Sequence, residues 1–416
     1  MNTGVDVVII GAGMVGLSSA LHLQERGLTV ALFDPGREEG RASFGNAGVL
    51  SRNSIFPVAA PGLRSRLPRY ALGRDVAVRA RLASVPFLLP WLTRFVAAAD
   101  ERRWRAAAAA LDPLVSRAYD EHLHLADRVG GRSLIRRNGW MRLYRSAAAF
   151  EASARERAVL AEYGVGMECL EQQDIVQLEP HLARRFARAI LFTDSGAVES
   201  PGALVRLYRA AVAAQGGRFV EALAERIEED ADGIAVTGGP TTIRGRFAVL
   251  AAGAWSGQLA RTLGDRFPLA AERGYHRHFR LAEGAELRRP VHDAAGGYVM
   301  SPMNGRVRVL SGVELARPDD PPDHRQIAAV TADAANTIAL GDAVEPAPWM
   351  GSRPSTPDGL PVIGVSKRRS RLIFAFGHGH IGFANGPLTG RIVAALVAGE
   401  AAPIPIGAFS PRRFGA

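Results

Sequence analysis

Three glycines near the start of the chain, Gly11, Gly13 and Gly16, fit the pattern GxGxxG, and Asp34 follows at the end of a second apolar run. This is the chemistry of a dinucleotide site. The first glycine permits a tight turn, the second lets a pyrophosphate approach the backbone, and the third brings helix and strand close together. Met14 and Val15 open that helix, where free N–H groups and the positive end of the dipole attract phosphate. The Asp34 carboxylate can accept hydrogen bonds from a ribose diol, which leaves NAD and FAD both open. Toward the other end, His378 and His380 flank one glycine. That spacing on a strand puts both rings on one face, but no third ligand of the right type lies nearby, so no metal is expected. Arg353 is set between Gly351 and Pro354 in a rigid turn. A planar guanidinium there suits a carboxylate, which it binds through two parallel hydrogen bonds.

The elements that must hold these groups are legible in outline. Val7 to Ile10 reads as a buried strand, Leu17 to Arg26 as an amphipathic helix ended by Gly27, and Leu28 to Phe33 as a second strand. Residues 40 to 51 form a loop of small residues. Residues 55 to 75 carry Pro57, Pro61, Gly62, Pro68 and Gly73 and read as an irregular connection. Residues 98 to 130 are helical, Leu134 to Arg145 forms a hairpin about Asn138-Gly139, and residues 150 to 180 return to a helix closed by Pro180. Ala189 to Thr193 is a short strand. Ser200 caps a helix from Gly202 to Gln215, with Pro201 at its first position. Arg218 to Ile227 and Gly233 to Thr242 look like sheet, and Phe247 to Ala252 is a buried strand ending at Gly253. Alternating strands fill 275 to 313, residues 323 to 343 are helical, Leu372 to Phe376 is a further buried strand, and a last helix runs from about Pro387 to Val397. Parallel-type strands therefore stand at the beginning, middle and end, with antiparallel material between them. The fold class expected is α/β: a Rossmann-like domain assembled from discontinuous segments, with an inserted α+β domain containing an antiparallel sheet.

Composition narrows the function classes. The 416 residues are 47% hydrophobic and 22% charged, with a formal net charge of +10. This is an ordinary globular composition with room for two or three domains. The cations are almost all arginine, with Lys367 the only lysine, and they are scattered, which speaks for a solvated surface and against a nucleic-acid face. One cysteine, Cys169, excludes an internal disulfide or a cysteine metal cluster and fits a reducing compartment. Asp6 precedes the first apolar run, so no signal peptide is read there. No stretch reaches the ~20 apolar residues of a membrane span. The nearest, Val85 to Ala99, is broken by two prolines and Arg94. It can be placed on a membrane surface, in a lid or in a buried helix. The location expected is cytoplasmic, with a peripheral seat on the inner membrane compatible.

Five marks along nearly the whole chain resemble the FAD-dependent D-amino acid oxidase superfamily, most of all its bacterial D-amino acid dehydrogenase small-subunit type, with glycine oxidase as a relative. They are the glycine motif with Asp34; Ser43-Phe-Gly-Asn-Ala-Gly48; Ala251-Ala-Gly-Ala-Trp-Ser256; Gly351-Ser-Arg-Pro-Ser-Thr-Pro-Asp-Gly-Leu-Pro-Val-Ile-Gly364; and Gly377-His-Gly-His-Ile-Gly382 with Gly386-Pro-Leu-Thr-Gly390. The resemblance implies a dissociable FAD, with its pyrophosphate at Gly11, Gly13, Met14, Val15 and Gly16. Ser43, Asn46, Ala47 and Gly48 would pass under the ring. Ala252 and Gly253 would pack on the pyrophosphate or adenosine end, with Trp255 either a flavin contact or a core anchor. Gly377, Gly379, His380, Ile381, Gly382 and Thr389 would face the pyrimidine edge. It also implies that Arg353 holds a substrate carboxylate, that Tyr298 helps position it, and that His380 lies over the flavin. Tyr275 and His276 would line the same pocket.

The implied domains are 1–58, 184–266 and 351–416 for FAD, and 59–183 and 267–350 for substrate. The implied reaction is dehydrogenation of a D-amino acid, or of a cyclic or secondary amino acid of proline or opine type. Hydride would pass from the α-carbon to flavin N5 and electrons on to a quinone or partner. An oxidase of the glycine or sarcosine type using dioxygen is the alternative. A flavin domain acting on modified tRNA and a non-catalytic subunit of a hetero-oligomer are readings from other classes. Substrate side chain, chirality, electron acceptor and oligomeric state are not encoded in the motifs.

Overall fold

The computed structural model describes residues 4–36, 38–71 and 76–415. Val7 to Ile10 are all at most 3% exposed, so this strand is covered on both faces and reads as a continuous apolar run, not an alternating one. It lies between Val30–Phe33 and Thr241–Leu250, both parallel to it. Arg218–Val220 extends the parallel set beyond Val30–Phe33, and Leu372–Phe376 extends it beyond Thr241–Leu250. Ile234–Gly238, Arg226–Glu229 and Val362–Val365 add antiparallel strands, giving an 8-stranded sheet.

One face of this sheet packs against Met14–Glu25, Pro201–Ala214 and Gly386–Ala398 through Leu17, Leu21, Leu204, Tyr208 and Val393. The other face packs on Leu259, Leu263 and Phe267. Ser200 caps the middle helix by accepting from the Ala203 N–H, with Pro201 just inside it. The first and last helices approach very closely. A Cβ on Gly390 would lie 2.5 Å from the backbone of Ser18, and one on Gly386 would lie 2.4 Å from Met14 Cγ.

The second sheet has 11 strands. Its spine is the long strand Ala270–Leu281, which pairs with Arg306–Leu310, Val313–Ala316, Leu340–Ala343 and Trp349–Ser355. Helix Arg325–Ala334 covers one face through Ile327 and Val330. Two strands that fall in the implied FAD segments, Arg188–Phe192 within 184–266 and most of Trp349–Ser355 within 351–416, lie in this second sheet. Val49–Leu50, Gly196–Val198 and Ile135–Arg136 form a third sheet of 3 strands.

Several expected elements come out differently. Residues around Asn138-Gly139 are not a hairpin: Ile135–Arg136 pairs with Gly196–Val198, while Trp140–Tyr144 pairs with Arg188–Phe192. Gly139, at φ +67°, turns the chain from one sheet to the other. The stretch 98 to 130 is two helices, Glu101–Val115 and Ala118–Arg128. The stretch 150 to 180 contains the strand Met167–Glu171, which is mostly exposed and so lacks the apolar alternation that marks a strand. Residues 63 to 71 are helical despite Pro68, and Gly73 lies outside the described residues. Helix Arg325–Ala334 stops well before Leu340–Ala343, which is a strand. Val85–Ala98 is a helix at the surface, with Leu88 and Trp91 buried and Phe87 and Leu89 exposed. Among the described residues no helix is long and apolar enough to cross a membrane.

The close approach of the two helices gives the first prediction. Gly390→Ala should cost about 1–3 kcal/mol through overpacking and lower the thermal unfolding temperature measured by calorimetry. Gly407→Ala, where a Cβ meets nothing within 4 Å, should leave it unchanged.

Candidate functional site

The carboxyl ends of the parallel strands open onto a cavity of about 1160 Å³. That exceeds the ~300–1,000 Å³ usual for one small ligand and leaves room for an extended dinucleotide plus a second molecule. Its place, beyond the carboxyl ends of a parallel sheet, is where open α/β sheets bind ligands.

At one end Gly11, Gly13, Met14 and Val15 line the cavity. Gly11 holds φ +103°, and a Cβ there would fall 2.4 Å from the Ala251 carbonyl oxygen. Only glycine fits that turn. Gly16 lies outside the lining; a Cβ on it would fall 1.9 Å from the Gly11 carbonyl oxygen, so its role is close packing of helix on strand. Ser43 Oγ accepts from the Met14 N–H at 3.0 Å and brings the following loop against the helix start. Asp34 accepts from the backbone N–H of Ala12 at 2.8 Å and of Gly36 at 3.0 Å. It also forms an ion pair with Arg41, through both Nε and Nη2. These four bonds use the carboxylate's acceptor sites, so a ribose diol reaching Asp34 must displace Arg41.

The loop that follows runs along the middle of the cavity. Asn46 Oδ1 accepts from the Gly48 N–H at 2.8 Å, closing a turn that leaves Asn46 and Ala47 on the lining. Gly48 itself faces away, since a Cβ there would strike the Val198 carbonyl oxygen at 2.3 Å. The loop is tied to the second sheet by a buried chain. Arg308 donates to the Asn46 carbonyl oxygen and, through Nε, to His278 Nε2 at 2.9 Å. His278 Nδ1 must then carry the proton, and it donates to Glu345 at 2.5 Å. Burial lowers the Arg308 pKa to about 10, with Glu345 opposing. Trp349 lies flat against His276, with centroids 4.6 Å apart, and its ring fills the space a Cβ on Gly45 would need. Ala252, Gly253 and Trp255 complete this part of the lining. Trp255 is 37% exposed, so it is not a core anchor.

Arg353 marks the other end. Its guanidinium lies over Gly274, where a Cβ would meet Nη2 at 2.4 Å. Among the described residues it has no hydrogen bond and no ion pair; burial lowers its pKa and the charge of Glu272 opposes that. A free guanidinium turned toward a cavity is a receptor for a carboxylate. Gly379, His380 and Gly382 line the cavity beside it. The His380 side chain is exposed only in the sense that it borders the cavity. Surrounding protein desolvates it, and with Arg353 lowers its pKa to about 4. His378 is buried, and its Nε2 lies 2.9 Å from Thr389 Oγ1. That hydroxyl already donates to the Asn385 carbonyl oxygen at 2.8 Å, so His378 Nε2 is the donor. Desolvation takes the His378 pKa to about 4 as well.

Some expected site residues are not at the site. Tyr298 is 1% exposed and its hydroxyl bonds Thr337 Oγ1 at 2.8 Å. Alternation along the strand turns Tyr298 into the core under helix Arg325–Ala334 and leaves the next residue, Val299, to line the cavity. Thr389 is fully buried in the last helix and reaches the cavity only through His378. Ile381 packs into the core, and Gly377 borders a small side chamber instead. Tyr275 is bonded to Glu314 and Arg273, and His276 to the Gly45 carbonyl oxygen; neither lines the cavity. The residues not foreseen are Arg41, Glu272, Val299, Arg308 and Trp349. Only Trp349 carried a local signal, through its place two residues before Gly351; the segment Gly351 to Pro354 is not the expected rigid turn but part of the strand Trp349–Ser355, whose pairing fixes Arg353.

The FAD dependent oxidoreductase family, DAO, matches residues 6–396. A D-amino-acid oxidase of Bradyrhizobium diazoefficiens is 34% identical over 422 residues, covering 100% of both chains. A D-amino acid dehydrogenase 2 of Ralstonia nicotianae is 30% identical over 433 residues, covering 98% of this chain and 100% of the other. The crystal structure of glycine oxidase from Geobacillus kaustophilus superimposes with a TM-score of 0.79 at 22% identity over 98% of each chain, a likeness of fold.

The placement of Tyr298 is open to test. Tyr298→Phe should cost about 1 kcal/mol of stability, the net worth of one buried hydrogen bond. The Kd for benzoate, a probe carboxylate, measured by calorimetry, should not change. A weakened Kd would place the hydroxyl beside the bound carboxylate instead.

Proposed function

We propose, for a chain that belongs to the DAO family of FAD-dependent oxidoreductases, that it dehydrogenates the α-carbon of a D-amino acid or of a cyclic or secondary amino acid of proline or opine type. The observation that carries this reading is the unpaired Arg353 guanidinium on the cavity wall. It binds the substrate carboxylate through two parallel hydrogen bonds and so fixes the α-carbon. FAD suits the rest of the cavity. Gly11, Gly13, Met14 and Val15 present the helix start to its pyrophosphate, Asp34 reaches its ribose once Arg41 moves, and Asn46, Ala47, Ala252, Gly253 and Trp255 flank its remainder. When bound, it supplies the acceptor for the hydride that leaves the α-carbon.

The protein's part is to orient and to exclude water. Val299, Leu310, Trp140 and Pro318 give the substrate end an apolar lining, and Ser51, Ser54 and Ser311 add hydroxyls. His380, neutral above about pH 4, adds no positive charge beside a substrate amine. The amine gives up a proton as the C=N bond forms, and the released imine either adds water and splits into a 2-oxo acid and ammonia, or an amine for a secondary substrate, or is kept as a cyclic imine.

A quinone or a partner protein is the electron acceptor in this reading. Dioxygen is a second reading, favoured by the relative named as an oxidase. Anaerobic addition of D-amino acids, N-methyl amino acids, prolines and opines to the FAD-loaded protein should bleach the flavin with at least one of them. No bleaching across the panel would overturn the function. Peroxide formed in step with substrate in air would select dioxygen. Arg353→Lys loses the bidentate charged pair, about 1.5–3 kcal/mol, which should raise KM roughly 10- to 100-fold while FAD stays bound. Equal loss of FAD would make Arg353 a cofactor ligand instead.

A further inference from the structure

One buried carboxyl group has no part in the function just described. Glu272 lies in the long strand Ala270–Leu281, directly across from Arg353 in the antiparallel pair. It is 4% exposed. It borders a side chamber of about 20 Å³, room for a single water. The chamber shares Ser54, His378, Gly379 and His380 with the main cavity. On its other flank Glu272 pairs with Leu315, which brings no charge. Val85–Ala98 and Glu101–Val115 contribute Phe95 and Leu111 to the chamber, both apolar. The neighbouring Arg273 points to the opposite face, where Glu314 and Tyr275 engage it. The titratable groups around Glu272 are therefore Arg353, His378 and His380, and the histidines are neutral near pH 7.

Two forces act on Glu272 in opposite directions. Burial is the stronger and raises the Glu272 pKa above the ordinary carboxylate value, while the charge of Arg353 and a bond to Ser355 limit the rise. The same pair appears from the other side, since the charge of Glu272 opposes the lowering of the Arg353 pKa by burial. The carboxylate form of Glu272 thus depends on Arg353 being electrically available. A ligand carboxylate seated on the guanidinium offsets that charge, and Glu272, buried and with no ion pair among the described residues, is then left to the burial that favours its protonated form.

The geometry points to a coupled receptor: docking of a substrate carboxylate on Arg353 drives the uptake of one proton by Glu272. This rests on Arg353 being the carboxylate receptor. Glu272 is then a positioning residue that balances the charge of the empty site. For an amino acid the proton has a nearby source. The substrate ammonium becomes a neutral amine as the Glu272 carboxylate becomes a carboxylic acid, so charge and protons balance within the site. His380, which borders both chambers, lies along that route. The neutral amine is the form from which the C=N bond is made.

The test uses benzoate, a carboxylate with neither an amine nor an α-hydrogen, titrated into the FAD-loaded protein by calorimetry. In buffers of different ionisation enthalpy, the unaltered protein should take up close to one proton per benzoate bound. Above the Glu272 pKa of the empty site, the Kd should weaken as pH rises, toward tenfold per pH unit. In Glu272→Gln the uptake should vanish, the Kd should be flat over the same rise in pH, and binding at the high-pH end should be tighter. Binding without proton uptake in the unaltered protein would overturn the coupling, and so would uptake that persists in Glu272→Gln. Absence of benzoate binding that Arg353→Lys weakens would instead overturn the receptor itself. The calorimetric stoichiometry is read on the unaltered chain, so it stands even if the variant fails to fold.

Discussion

The site depends on how closely separate segments of backbone approach at the carboxyl ends of the parallel strands. Gly11 turns against the Ala251 carbonyl oxygen where no Cβ can fit, and Gly16 lets the helix that follows settle on the same turn. On the outer side of that helix, Gly386 and Gly390 let the last helix of the chain lie against Met14 and Ser18. Segments far apart in sequence are thereby locked at near backbone contact. The edge of the cavity, from Gly11 through Ala252 to Gly379, inherits its shape from these contacts. Interiors are packed too densely for one of them to yield without moving its neighbours.

The second sheet supplies charge to a frame that is otherwise apolar backbone. Its spine, Ala270–Leu281, carries Glu272 and Gly274 in consecutive positions of one face, with Arg353 opposite the first and lying over the second. Removal of a side chain at Gly274 is what lets the guanidinium lie flat on the sheet. A little further along the same spine, His278 passes the charge of Glu345 to Arg308, which holds the Asn46 carbonyl oxygen. The two sheets are thus joined by directional polar links near the cavity, and the loop between Ser43 and Gly48 is held by both.

Much of this was legible in the sequence. The parallel strands showed as unbroken apolar runs because both of their faces are buried, and the glycine motif, Arg353 and the Gly379 to Gly382 turn all reach the cavity. What escaped were features set by partners distant in the chain. The strand Met167–Glu171 is polar because it lies at a sheet edge, so no periodicity announces it. Asn138-Gly139 has good hairpin chemistry, yet its flanking strands find partners in different sheets. Tyr298 and Val299 differ by one position, and strand register alone decides which one meets the cavity. Glu272 reads as an ordinary surface acid until the pairing with Arg353 is known.

Trp140, Trp255 and Trp349 all border the cavity, and the chain has 5 tryptophans. Most of the protein's indole emission therefore originates beside the place where an isoalloxazine would absorb. Energy transfer over such short separations makes the intrinsic ultraviolet fluorescence an occupancy gauge: bright when the cavity is vacant, dark when it is filled. No attached label is needed.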